Sequence, residues 1–205
     1  MLDPVTGIRN SPPMSAATHG LPDLLLIERA RGADARAIET LTGRYAQRLF
    51  RIARSILGDD EAAESVVQEA CVEAFAELRR HEPAGKFAVW LTRLALERVR
   101  ARRESRAPVP RAPVYRHPLE PAIDALPEVF RTVFVLRVVE GISGTETAAA
   151  LGLNVTTVRT RLYRAHRRLS GGATLQAPQG LFELEGARAG RIVAEVLARL
   201  RARGA

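Results

Sequence analysis

Along the chain, apolar residues recur every three or four positions, the period of an α-helix buried on one side. Ile38, Leu41, Tyr45, Leu49, Ile52 and Ile56 form one such stripe, and Gly58-Asp59-Asp60 ends it and starts another. In the next stripe Ala63, Val67, Ala70, Ala74 and Leu78 line one face, widened by Val66, Cys71 and Phe75, which assigns Cys71 to a core. After a loop with Pro83 and Gly85, Phe87, Trp90, Leu91, Leu94 and Ala95 begin a third helix that runs to about Arg103. No run of alternating residues supports a strand, so the predicted fold is all-α, with two small helical domains joined by a flexible proline-rich linker.

The boundaries follow from the breaks in this pattern. Residues 1–22, rich in proline and glycine and without apolar periodicity, predict a disordered tail, inside which Met14 is an alternative start. Residues 23–105 form the first helical domain. Residues 106–121 carry Pro108, Pro110, Pro113, Pro118 and Pro121 and predict a linker. Residues 122–170 form the second domain, and residues 171–205 an extension whose one short amphipathic helix carries Ile192, Val193, Val196, Leu197 and Leu200.

The second domain holds the most specific local signal. Ser143 and Glu146 have capping-box spacing and open a helix from Thr145 to Leu151; Gly152 supplies a left-handed turn residue, and Asn154 caps a second helix. Val155, Val158, Leu162, Ala165 and Leu169 fall on the inner face of that helix, leaving Thr156, Thr157, Arg159, Thr160, Tyr163, Arg164 and Arg167 outside. Ahead of the pair, a helix from Pro127 to Val139 presents Phe130, Val133, Phe134 and Leu136. Two helices joined by a three-residue turn containing glycine form the helix-turn-helix pattern, whose second helix enters the major groove. Arginine matches guanine edges and phosphates, and threonine offers a hydroxyl and a methyl group.

Composition sharpens this picture only through its distribution. The 205 residues carry a formal charge of +8, with 31 Lys plus Arg against 23 Asp plus Glu. Such an excess arises from a polyanionic partner or from genomic base composition, so the total decides nothing. By position, however, residues 59–78 hold seven acids and no base, residues 79–103 a net of +6, and residues 154–170 a net of +5. The acidic helix either neutralises its basic neighbour or presents a protein-docking face beside a nucleic-acid face. A single cysteine excludes an internal disulfide framework, and the four histidines lack ligand spacing. No apolar run reaches membrane-spanning length. The expected protein is cytoplasmic, without metal or cofactor, without membrane insertion and not an enzyme.

The stretch ALPEVFRTVFVLRVVEGISGTETAAALGLNVTTVRTRLYRAHRRL resembles the C-terminal DNA-binding domain of extracytoplasmic function sigma factors. Independently, GRYAQRLFRIARSILGDDEAAESVVQEACVEAFAEL followed by KFAVWLTRLALERVRARR resembles their N-terminal helical domain, in the family's order. The resemblance implies a dissociable subunit of core RNA polymerase that recognises promoter DNA and helps open it. It implies polymerase docking by Asp60, Glu61, Glu64, Val67, Gln68 and Glu69. It implies minus-ten recognition by His81, Lys86, Phe87, Arg93, Arg98 and Arg100; Trp90 matches a family tryptophan, but its spacing with Phe87, Leu91 and Leu94 assigns it to the core rather than to a stacked base. Minus-thirty-five recognition falls to Thr156, Thr157, Arg159, Thr160, Arg161, Tyr163 and Arg164, with Arg161 directed at phosphate. An anti-sigma factor is a further candidate partner. The segment GLFELEGARAGRIVAEVLARL resembles a tail of some members and is expected to pack on the second domain, or else to engage a regulator or polymerase. The alternative function is an autonomous helix-turn-helix regulator that binds duplex DNA without polymerase.

Overall fold

The computed structural model describes residues 21–80, 86–105, 115–170 and 180–204, and is built from helices: α1 (Asp23–Arg31), α2 (Ala35–Leu57), α3 (Asp60–Leu78), α4 (Phe87–Ser105), α5 (Glu120–Asp124), α6 (Glu128–Phe134), α7 (Gly144–Leu151), α8 (Val155–Ser170) and α9 (Gly186–Ala202). The N-terminal tail predicted for residues 1–22, most of the linker and His81 lie wholly or largely outside the described residues.

Local chemistry sets the helix ends. The Asp34 carboxylate accepts from the amides of Arg36 and Ala37 and opens α2, whose apolar stripe runs its whole length. Gly58 closes α2 at φ 69°, where a side chain would be strained, and Asp59 then accepts from the Ala62 amide to open α3. α3 is buried on several sides because α2, α4 and α9 all pack on it. That explains its wide stripe of Val66, Val67, Cys71, Val72 and Phe75. Tyr45, Phe87 and Trp90 pack in sequence, edge-on and tilted with ring centroids 5.6 and 5.7 Å apart, and put Trp90 in the core. Burial pushes the Cys71 thiol up to about 12, so it stays a neutral core group.

A second core joins the C-terminal block to the first. Ile123, Leu126, Phe134, Val135, Leu136, Ile142, Ala150 and Ala165 pack with Ile52 of α2 and Leu96 of α4. α6 continues into a π-helical turn at Val135–Val139, so the helix expected from Pro127 to Val139 is regular only as far as Phe134. The amide of Pro127 is absent and its φ is fixed, and it sits just before the first turn. A smaller cluster of Val133, Ala148 and Val158 seats α7 against α8.

The C-terminal segment departs from its expected place. Instead of packing on the second block, α9 lies along α2 and α3, with Ile192, Val196 and Leu200 buried in the first core. Each such side chain gains about 1.5–3 kcal/mol relative to exposure. The turn before α9 sends Leu181 and Phe182 into the second core and Leu184 into the first. The last linker positions are also structured: α5 begins at Glu120, before the expected linker end at 121, and Glu120 is buried.

Candidate nucleic-acid interface

The helix-turn-helix is built as its sequence requires. Ser143 Oγ accepts from the Glu146 amide while the Glu146 carboxylate accepts from the Ser143 amide, which closes the capping box. Gly152 turns the chain at φ 65°, and Asn154 Oδ1 accepts from the Thr157 amide at 2.7 Å to start α8. Val158 and Ala165 are buried, and Leu162 and Leu169 are half-buried. Val155 is the exception on the predicted inner face. At 38% exposed, it sits in the first turn of α8, where it reaches only the start of α7.

The outer face of α8 is cationic and open. Thr156, Arg159, Thr160 and Tyr163 are exposed at i, i+3, i+4 and i+7, and Tyr163 is 60% exposed. Arg164 and Arg168 lie over the Phe130 ring at 6.0 and 5.5 Å, which steers both guanidinium groups along the helix while leaving their charge unneutralised. Among the described residues, none of Arg159, Arg161, Arg164, Arg167 and Arg168 makes an ion pair. Thr157 and Arg161 are half-buried. Arg167 and Arg168 belong to the same surface, and their steps of three and four from Arg164 are the sequence signal for them.

The basic residues of α4 behave differently. Arg98 pairs with Glu73 at 3.0 Å and Arg102 with Glu69 at 3.1 Å, so part of the acidic charge of α3 is neutralised by the helix beside it. Burial raises the Glu73 carboxyl, opposed by Arg98. Arg93 and Arg100 are exposed and unpaired among the described residues. Phe87 is a core residue, buried by Tyr45 and Trp90, so it shapes the start of α4 from inside rather than meeting DNA. Lys86 is 77% exposed and pairs across the seam with Glu146 of α7 at 2.7 Å. That contact and the capping box hold the Glu146 carboxyl down at about 2. Arg100 and Arg161, one from each candidate DNA set, line the same cavity of about 130 Å³ between α4 and α8.

On α3, Val67 is likewise buried in the core and supports the helix instead of facing a partner. Glu61 is exposed, and Gln68 and Glu69 are half-buried. Glu64 is 9% exposed and accepts from Arg188 at 2.7 Å and Arg191 at 3.0 Å, both on α9. Asp60 pairs with Arg54 at 2.8 Å and Arg116 at 2.9 Å.

Two family models match this layout in order: sigma-70 region 2 over residues 41–107 and sigma-70 region 4 over residues 116–169. The chain is 31% identical over 153 residues to the extracytoplasmic function RNA polymerase sigma factor SigE of Mycolicibacterium smegmatis, with 64% of this chain and 59% of that protein covered. It is 28% identical to the RNA polymerase sigma-H factor of Pseudomonas aeruginosa, with 70% and 89% covered. The solved structure of CnrH in complex with the cytosolic domain of CnrY superposes with a TM-score of 0.58 at 30% identity, covering 73% of this chain and 95% of that one. The chain belongs to the extracytoplasmic function sigma factors. It is therefore an RNA polymerase sigma factor that directs transcription initiation. Region 2 corresponds to the block of α2 to α4, and region 4 to α5 to α8, which include the helix-turn-helix. No helix among the described residues of this sigma factor is long and apolar enough to cross a membrane.

Proposed function

We propose that this sigma factor reads promoter DNA with the outer face of α8, engages the minus-ten region with exposed basic groups of α4, and docks on core polymerase through α3. Its sphere of action is the cytoplasm, and it contributes binding and positioning, with bond formation left to polymerase. The observation that carries the reading is the contrast between the two basic helices. Among the described residues, the arginines of α8 have no carboxylate partners, whereas Arg98 and Arg102 of α4 are paired internally. An unneutralised arginine row beside exposed threonines on the second helix of a helix-turn-helix is what major-groove contact requires.

Within this reading Arg159, Thr160, Tyr163 and Arg164 meet base edges or the nearby backbone at the minus-thirty-five element. At the start of α4 and along it the available contacts reduce to Lys86, Arg93 and Arg100, while Arg98 holds α4 against α3. On α3, Asp60, Glu61, Glu64, Gln68 and Glu69 supply the polar part of the docking face. An anti-sigma factor is a candidate partner, and CnrH, the similar solved structure, is itself bound to a protein, the cytosolic domain of CnrY. The autonomous-regulator alternative leaves the region 2 match without a role.

Arg164→Ala tests the reading. In transcription with core polymerase, it is expected to reduce output about tenfold or more from promoters with an intact minus-thirty-five element, as loss of a good base contact does. Output from promoters that lack that element stays near the parental level. Equal loss from both promoter types contradicts the assignment.

A further inference from the structure

We infer that α9 is a built-in cover of the polymerase-docking face on α3, and that core polymerase and α9 compete for this face. The inference rests on the docking role proposed for α3 and goes beyond it by naming the segment that occupies the face in the free chain.

Of the carboxylates assigned to docking, Glu64 is the one whose partners come chiefly from α9. Glu64 Oε2 accepts from Arg188 and Arg191, and its Oε1 accepts from Arg191 at 3.1 Å, so both oxygens are saturated by guanidinium groups. Arg188 also lies 3.9 Å from Asp60 and over the Phe50 ring at 6.0 Å. Beneath these pairs, Ile192, Val196 and Leu200 close an apolar seam against the first core. A partner that uses Asp60 and Glu64 needs the space α9 fills. The cover thus also describes that partner, which must present basic side chains above an apolar ridge.

The segment is held as a hinge is held, at one end. Gln47 donates to the Phe182 carbonyl at 3.1 Å and accepts from the Leu184 amide at 2.9 Å. Arg51 donates to the Leu181 carbonyl at 2.8 Å, and buried Glu120 accepts from the Phe182 amide at 2.8 Å. These bonds hold Phe182 at φ 44°, a left-handed conformation that a phenylalanine keeps only when its surroundings over-determine it. All of them act before α9 begins, so the helix leaves α3 by swinging about Glu185 and Gly186 while residues 181–184 stay anchored.

The test uses the full chain carrying Arg188→Glu and Arg191→Glu together, with binding to core polymerase followed by fluorescence anisotropy at fixed salt. Binding about tenfold tighter than the parent is expected, a gain typical of released intramolecular coupling. Arg191→Glu alone, at an exposed position that cannot unfold the core, shifts binding in the same direction by less. Arg199→Glu with Arg201→Glu makes the same change of net charge near the end of α9, away from Asp60 and Glu64, and leaves binding at the parental level. Parental affinity in the Arg188/Arg191 variant, or an equal gain in the Arg199/Arg201 control, overturns the cover while docking stands. Failure of parent and variants alike to bind core polymerase overturns docking and cover together.

Discussion

Arg54 occupies the point where three parts of the chain meet. It is 1% exposed, and its guanidinium reaches Asp60 of α3 at 2.8 Å and Asp124 of α5 at 3.4 Å, beneath the Phe182 ring at 5.4 Å. Removing one partner from a buried pair leaves uncompensated charge, so Arg54→Ala is expected to destabilise the chain by about 3–5 kcal/mol in denaturant unfolding. Burial raises the Asp124 carboxyl, while Arg54 and Arg131 oppose the rise. Without Arg54 it rises further, and a carboxyl with a raised folded pKa is favoured in the fold at low pH. The loss is therefore larger at high pH than at low pH, where a carboxyl with a raised pKa takes up its proton first. A loss below about 1 kcal/mol, or one independent of pH, would contradict this role. None of it was legible in the sequence. Arg54 falls off the Ile52–Ile56 stripe and reads as a solvated base, because its partners come from segments up to 128 positions away. Cys71 and Trp90, by contrast, declare their burial through spacing alone.

At the level of the helix, the local signals carried furthest. The capping box at Ser143, the left-handed Gly152 and the Asn154 cap depend on neighbours within a few residues, so sequence suffices for them. Val155 is the exception, because periodicity assumes a partner along the whole helix and in the first turn of α8 this side chain stays partly open to solvent. Glu146 serves both the cap and the seam, since the same carboxylate pairs with Lys86. Its depressed pKa means that the contribution is full above about 4.5, the ordinary glutamate value, and declines only as pH falls towards about 2. Energy transfer between labels on α4 and α7 should accordingly be flat from pH 8 to 5. Glu146→Gln keeps the capping geometry but loses the ion pair, and should open the seam by less than about fivefold, as befits an exposed pair. Opening of the parent between pH 7 and 5 would contradict that assignment.

At the scale of the whole molecule, the two blocks and α9 are packed together. The Lys86–Glu146 pair, a cavity of about 190 Å³ bordered by Arg48, Val89, Ile142 and Ala150, and the Leu96 contact join regions 2 and 4 through a seam with unfilled space. α9 meanwhile covers α3. The 14 residues between α4 and α5, 106–119, at about 3.1 Å per residue, span roughly 43 Å when extended, so the chain allows the two blocks to part onto separate DNA elements. The sequence revealed both blocks and the family but not the closure, because pairs such as Glu64 with Arg191 depend on where distant helices come to rest. The central claim is promoter selection. Core polymerase mixed with the parent chain, and separately with the Arg188→Glu/Arg191→Glu chain, would transcribe genomic DNA with transcript ends mapped. New transcripts are expected to start at a shared set of promoters, more abundantly with the released variant. If neither chain yields new promoter-specific transcripts under conditions where another sigma factor does, the account is wrong.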